Sequence, residues 1–262
     1  MAAAAAVARC APRAAPSAAR CALSRHHAPP RARRRAYSGG GGWGGGWGGA
    51  RSAAADALGS PVYWLLGANV AAFAVYHTAA QSNRELHRWF NRHMVLSQSR
   101  VRAGYWDCMV GSAFFHVQPL HLLFNMMALH SFGSTAAMML GGRTFLGLYF
   151  TSALCGSAAQ LYYPTLARQL RLPAARTVHW DTSAVGASAA IAGVTTYVCC
   201  RVPRGEVMLL FIPVPNWVFV PLFVGGSLYM AYSGRDTTYA HAGHLGGAAA
   251  GFALFLARRG RF

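Results

Sequence analysis

The chain has 262 residues, 54% of them hydrophobic and only 11% charged, with a formal net charge of +18. A charged fraction less than half of the quarter usual in soluble domains excludes an ordinary soluble globular protein. The positive charge does not imply nucleic acid. All 24 basic residues are arginine, eight of them between Arg9 and Arg35, and no basic stripe interleaved with aromatics follows.

Residues 1–37 are rich in Arg, Ala and Ser, and no acid appears before Asp56. That is the composition of an organellar transit peptide, and it lacks the apolar run of a secretory signal. Arg35-Ala36-Tyr37-Ser38 resembles a mitochondrial processing site with the cut after Tyr37, and a plastid address is the competing reading. Residues 38–60, GGGGWGGGWGG and its flanks, are too glycine-dense to order cheaply and read as a Gly/Trp-rich flexible linker. The six cysteines show neither metal spacing nor a disulfide framework, so no metal and no cofactor is expected.

From residue 61 onward, apolar runs alternate with short polar or arginine-bearing breaks. A spanning helix needs about 20 mostly apolar residues. Six runs qualify: 61–79, 120–140, 143–163, 185–200, 214–232 and 240–257. A longer polar loop with five arginines separates the first two. The fifth run holds Pro215 and Pro221, with Pro213 just before it, and is expected to be bent or loosely held. In hydrocarbon only helices or closed barrels satisfy their backbone, and these runs are too long for barrel strands. The expected fold is an all-α polytopic membrane protein, a six-transmembrane-helix bundle over residues 61–258 with a short basic tail at 259–262.

An ionisable or strongly polar group inside a span is a functional hypothesis, because burying it is costly. His121 and Asn125 open the second run, Ser188 the fourth, and His241 and His244 the sixth. Six spans put the loops before the second, fourth and sixth on one side, so His121, Asn125, Ser188 and His244 share one depth. His130 lies nine residues deeper than His121 and reads as a packing or interhelical hydrogen-bonding residue. A serine hydroxyl needs a base to remove its proton, and histidine is the usual one. His121 and Asn125, four apart, share a helix face and could donate to a developing oxyanion. No carboxylate lies in the spans at this depth, so the chemistry expected is a serine–histidine dyad. Taken alone, VGASAAIAG around Ser188 would be only a small-residue packing surface. His87-x-x-x-Asn91, in the polar loop, repeats the His-x-x-x-Asn spacing and is taken as chance.

Three motifs in order, His121-x-x-x-Asn125, Gly186-Ala187-Ser188 and His244-x-x-Gly247-x-x-x-Gly251, resemble the signatures of rhomboid intramembrane serine proteases. His116, just before the second run, also resembles a histidine of that family. The segment 240–252 is most similar to the mitochondrial, presenilin-associated rhomboid-like branch. The resemblance implies a six-helix rhomboid bundle in the mitochondrial inner membrane, with Ser188 as nucleophile and His244 as base. It implies an oxyanion held by Asn125, His121 and the Ser188 backbone N–H. Gly186, Gly247 and Gly251 would be helix-packing glycines. The partners implied are single-span transmembrane substrates and the lipid bilayer, and nothing in the sequence specifies an oligomeric state. Ala189 stands where the family usually has glycine. A methyl there is tolerable at negative φ and costly at positive φ. That residue is the one hint of an alternative, a catalytically inactive rhomboid-like adaptor that binds membrane proteins.

Overall fold

The computed structural model describes residues 59–209, 212–235 and 240–259. The transit peptide expected at residues 1–37 and all of the expected linker but its last two residues lie outside them, as does most of the basic tail. Pro61, pre-set for a first helical turn, opens α1 (Pro61–Val75), which runs straight into a π-helical turn at Tyr76–Ala80. Pro119 likewise opens α5 (Pro119–Ala128), followed by a π turn at Leu129–Gly133 and then α6 (Ser134–Leu140). The first two runs expected from sequence are therefore continuous helical paths, the first ending in a π turn and the second interrupted by one. The third is α7 (Gly142–Gln169), which carries on past the expected end. The fourth is α8 (Ser188–Arg201) and the sixth is α10 (His241–Ala257). Among the described residues no single helix is long and apolar enough to cross a membrane.

The polar loop after α1 is itself folded into short helices: α2 (Arg84–His93), α3 (Gln98–Arg102) and α4 (Cys108–Gly111). Caps start the first two. The Asn83 side chain accepts from the Glu85 and Leu86 N–H groups, and Ser97 Oγ from that of Arg100. This segment is tied to the rest of the fold by Gln98 Nε2 donating to Leu161 O (2.6 Å) and by Ser157 Oγ donating to Met109 O (2.7 Å).

The fifth run differs from expectation at its start. Ahead of α9 (Asn216–Ser233) stands an antiparallel hairpin, β1 (Glu206–Leu209) and β2 (Ile212–Pro215). Its register sets Glu206 opposite Pro215 and Met208 opposite Pro213. Pro213 and Pro215 explain the shift, since each lacks the N–H that a helix would need there, while an outer strand edge tolerates them. The bundle is thus all-α apart from this small hairpin.

Helices α7, α8 and α10 pack backbone to backbone. A Cβ on Gly247 would fall inside the radius of the Ala189 carbonyl oxygen, and one on Gly251 inside that of Gly193. A Cβ on Gly156 of α7 would lie 2.5 Å from the Ala189 methyl. The main apolar core, with Tyr149, Tyr197, Phe145 and Leu129 fully buried, joins these helices to α1 and to the π turn after α5.

Candidate active site

The segment before α8 is pinned on three sides. Leu96 and Ala184 exchange a pair of backbone hydrogen bonds (3.0 and 2.9 Å), and Gly186 N–H donates to Ser112 O (2.8 Å). Ala187 N–H donates to Nε2 of the buried His116 (3.3 Å). His116 is therefore neutral with its proton on Nδ1, and burial, then the neighbouring His121, lower its pKa to about 4. Its ring meets that of His121 edge-on at 5.0 Å between centroids. Gly186 has φ +113°, a value L side chains rarely adopt, and a Cβ there would lie 2.6 Å from His121 Cε1. Gly186 thus lies outside α8. It is a turn glycine that lets the chain pass under the two histidines, rather than the helix-packing glycine expected.

That turn delivers Ser188 to the first position of α8. The first-turn N–H groups of any helix lack intrahelical partners, and here Ala187, the residue before Ser188, provides no side-chain cap for them, so this end favours negative charge. His244, in the first turn of α10, meets Ser188 with 2.9 Å between Nε2 and Oγ. The glycine contacts between α8 and α10 bring the two residues within reach across 56 positions of sequence. Phe223 of α9 lies against the His244 ring at 5.8 Å, tilted by 32°.

Ser188 and His244 line two cavities. One, of about 150 Å³, is also bounded by Gln118, His121, Gln160 and the loop 182–185. The other, of about 370 Å³, opens between Gln118, Leu120, His121, Phe124 and Asn125. Asn125 is buried, and its Nδ2 donates to the carbonyl of His121 (2.9 Å), leaving its second N–H for another acceptor. His121 and Asn125 therefore border the same space as the serine and histidine. His130 does not; it meets the Tyr63 hydroxyl across the helices at 3.3 Å. In the polar loop, Asn91 Nδ2 donates to His87 O (3.0 Å), the same internal bond as in Asn125. The spacing alone therefore carries no site.

Ala189 lies inside α8, and Arg171 is the one non-glycine residue with positive φ among the described residues. The methyl of Ala189 therefore occupies ordinary helical backbone and fills the space left by Gly156. Sequence reasoning missed two neighbours of the site. Gln160, buried in α7, lines the smaller cavity, and its Oε1 accepts from the Gly243 N–H (3.2 Å), bracing the residue before His244. The signal available was a polar amide within the third apolar run. Phe223 left no signal, because a phenylalanine in an apolar helix is unexceptional. Among the described residues no cluster of His, Cys, Asp or Glu could hold a metal ion.

The domain model of the rhomboid family matches residues 102–261. The chain belongs to the rhomboid family. This rhomboid is 34% identical over 191 residues to Rhomboid protein 1, mitochondrial, of Saccharomyces cerevisiae, covering 72% of this chain and 51% of that one. It is 28% identical over 206 residues to RHOMBOID-like protein 12, mitochondrial, of Arabidopsis thaliana, covering 77% and 59%. With the presenilin-associated rhomboid-like protein, mitochondrial, of Mus musculus it shares 30% identity over 156 residues, covering 53% and 35%. The chain spans about half the length of the first two and about a third of the third. The mitochondrial branch to which the motifs pointed is the one these relatives represent.

Proposed function

We propose that this rhomboid is an intramembrane serine endopeptidase that cleaves single-span membrane proteins near one membrane face. The observation that carries the reading is the 2.9 Å contact between His244 Nε2 and Ser188 Oγ at the wall of two cavities. His244 takes the hydroxyl proton as Ser188 attacks the scissile carbonyl, then passes it to the leaving amine. The oxyanion meets the Ser188 N–H at the start of α8, with Asn125 and His121 bordering the same space. Water, activated by the same histidine, then releases the acyl group. An intact helix hides its carbonyls in its own hydrogen bonds, so substrates with helix-weakening residues near the cut are the better ones.

The bilayer reading is supported by the outward faces of the bundle. Trp64 on α1, Leu120 and Met127 on α5, Met138 on α6 and Leu222 on α9 are all exposed apolar side chains. A soluble monomer rarely presents so much apolar surface. The relatives named above and the arginine-rich residues 1–37 support the mitochondrial inner membrane, with residues 1–37 removed on import. The adaptor alternative loses its one hint, since Ala189 is not strained. The proline-bearing α9 is the candidate lateral gate.

The test is cleavage of a single-span substrate by the purified protein in lipid, beside Ser188→Ala. Cutting by the wild type that falls at least ~10,000-fold in the variant supports the dyad. If the wild type does not cut and a serine-reactive phosphonate leaves Ser188 unlabelled, the adaptor reading replaces it.

A further inference from the structure

A groove of about 370 Å³ lies on the outside of the bundle, away from the dyad, between the polar loop and α7. One wall is the α7 face formed by Ala158, Leu161, Tyr162 and Thr165, spaced as one helical stripe. The other is Gln98, Val101 and Arg102 of α3, with Trp106 and Met109 beyond them. The bond from Gln98 to Leu161 O closes the floor. The groove is apolar along its length and carries a single charge, Arg102.

The two arginines of α3 are used differently. Arg100 turns inward, its Nη1 donating to Ser97 Oγ (3.0 Å) beside the Asp181 carboxylate. Arg102 faces the groove, lying 5.6 Å over the Trp180 ring with only a long bond (3.5 Å) to Gln98 Oε1. No carboxylate among the described residues pairs with it. Two amphipathic rings of the groove's lining are open to the outside, Trp106 (65% exposed) and Tyr162 (54%), and a third, Trp180 (43%), lies against Arg102. Aromatic rings with exposed cations at one depth mark the headgroup zone of a bilayer. An apolar slot ending in an unneutralised guanidinium complements one occupant, an acyl chain ending in an anionic phosphate.

We propose that this groove is a binding site for an anionic phospholipid, with an acyl chain along the Ala158–Thr165 face and the phosphate on Arg102. The site rests on the bilayer reading above but not on catalysis. It bears on the dyad through two bonds on the way to Ser188. Ser99 N–H donates to Asp181 Oδ1 (2.8 Å), and Leu96 pairs with Ala184, four residues before the serine. A lipid that steadies α3 steadies the segment presenting the nucleophile.

The experiment is native mass spectrometry of the full-length protein from micelles doped with phosphatidylglycerol or phosphatidylcholine. Wild type and Ser188→Ala are expected to retain phosphatidylglycerol equally, and about five-fold better than phosphatidylcholine. Arg102→Gln, a surface change, removes that preference. Ala158→Trp fills the slot with every charge in place and lowers retention of both lipids, with its unfolding temperature checked against wild type. Equal retention of the two lipids by the wild type would overturn the proposal. So would a preference that survives Arg102→Gln, or lipid retained undiminished by a folded Ala158→Trp.

Discussion

Helices α8 and α9 both pack on α10, yet they are built in opposite ways. α8 is buried without interruption from Ala190 to Cys199, whereas α9 buries only Asn216, Ser227 and Ala231. The cause is side-chain size. α8 offers Ala189 and Gly193 to the glycines of α10, so the helices touch through their backbones and little room for adjustment remains. α9 instead carries Trp217, Leu222, Leu228, Tyr229 and Tyr232 outward and has Pro221 within it. Near the dyad it contributes Phe223, which lies against the His244 ring. The serine and histidine therefore stand on the inflexible side, and the wall that covers them is the side able to give.

Gly247→Leu attacks the inflexible side and has the largest expected effect. The added side chain must push α10 off the Ala189 carbonyl, costing about 2–3 kcal/mol and separating His244 from Ser188. Cleavage and phosphonate labelling should both disappear, with a clear fall in unfolding temperature. A variant that labels normally and melts like wild type would break the comparison. Asn125→Ala comes next. It leaves the packing alone and is expected to lower kcat about 100-fold at an unchanged unfolding temperature. A change confined to KM would show that Asn125 positions substrate instead.

Pro221→Ala tests the yielding side. Restoring a helix hydrogen bond should raise the unfolding temperature slightly and lower kcat about two- to three-fold if α9 must move in each turnover. An unchanged kcat would mean that the helix need not bend there. Asp181→Asn gives the smallest effect and a pH signature. Burial pushes the Asp181 carboxyl up, but the hydrogen bonds from Ser99 and Ser97, with the Arg100 charge, outweigh it and hold the pKa below its ordinary value. A depressed carboxylate stabilises the fold above its unfolded pKa, and that contribution is lost as pH falls through the folded one. The difference in unfolding temperature between wild type and Asp181→Asn should therefore be full at pH 7, begin to shrink only at about pH 4, and vanish once the pH falls below the depressed folded pKa. A difference that persists in acid would assign the effect to packing.

Hydrophobic run length was sufficient to find the helices of the bundle, because apolar stretches between arginine-bearing breaks admit few other structures. The runs expected from 61 and from 120 even began within a residue of the helices that start at Pro61 and Pro119. Three things were not legible. The run at 185 began three residues before α8, because a backbone turn at Gly186 and a pairing with residue 96 are long-range events that no local pattern carries. The polar loop held readable caps at Asn83 and Ser97, but their helices are short and become evident only through their tertiary ties. The role of Gly186 depends on two histidines about 70 residues earlier, so spacing alone made it a packing glycine. Ser188 and His244 could be paired because a count of spans placed them at one depth. The same count was silent about Gln160, which comes from a helix whose start lies on the other side.

The hairpin before α9 has a consequence for how copies of this protein meet. In its register, the pairs Val207–Val214 and Leu209–Ile212 must be the ones exchanging hydrogen bonds, since Pro213 and Pro215 have no N–H to give. Both prolines are thereby left at positions whose missing N–H would have pointed away from β1. The outer margin of β2 is thus stripped of donors and cannot template a third strand. A second molecule that approaches along β2 finds no ladder to extend, which guards that margin of an exposed apolar ribbon against strand-by-strand aggregation.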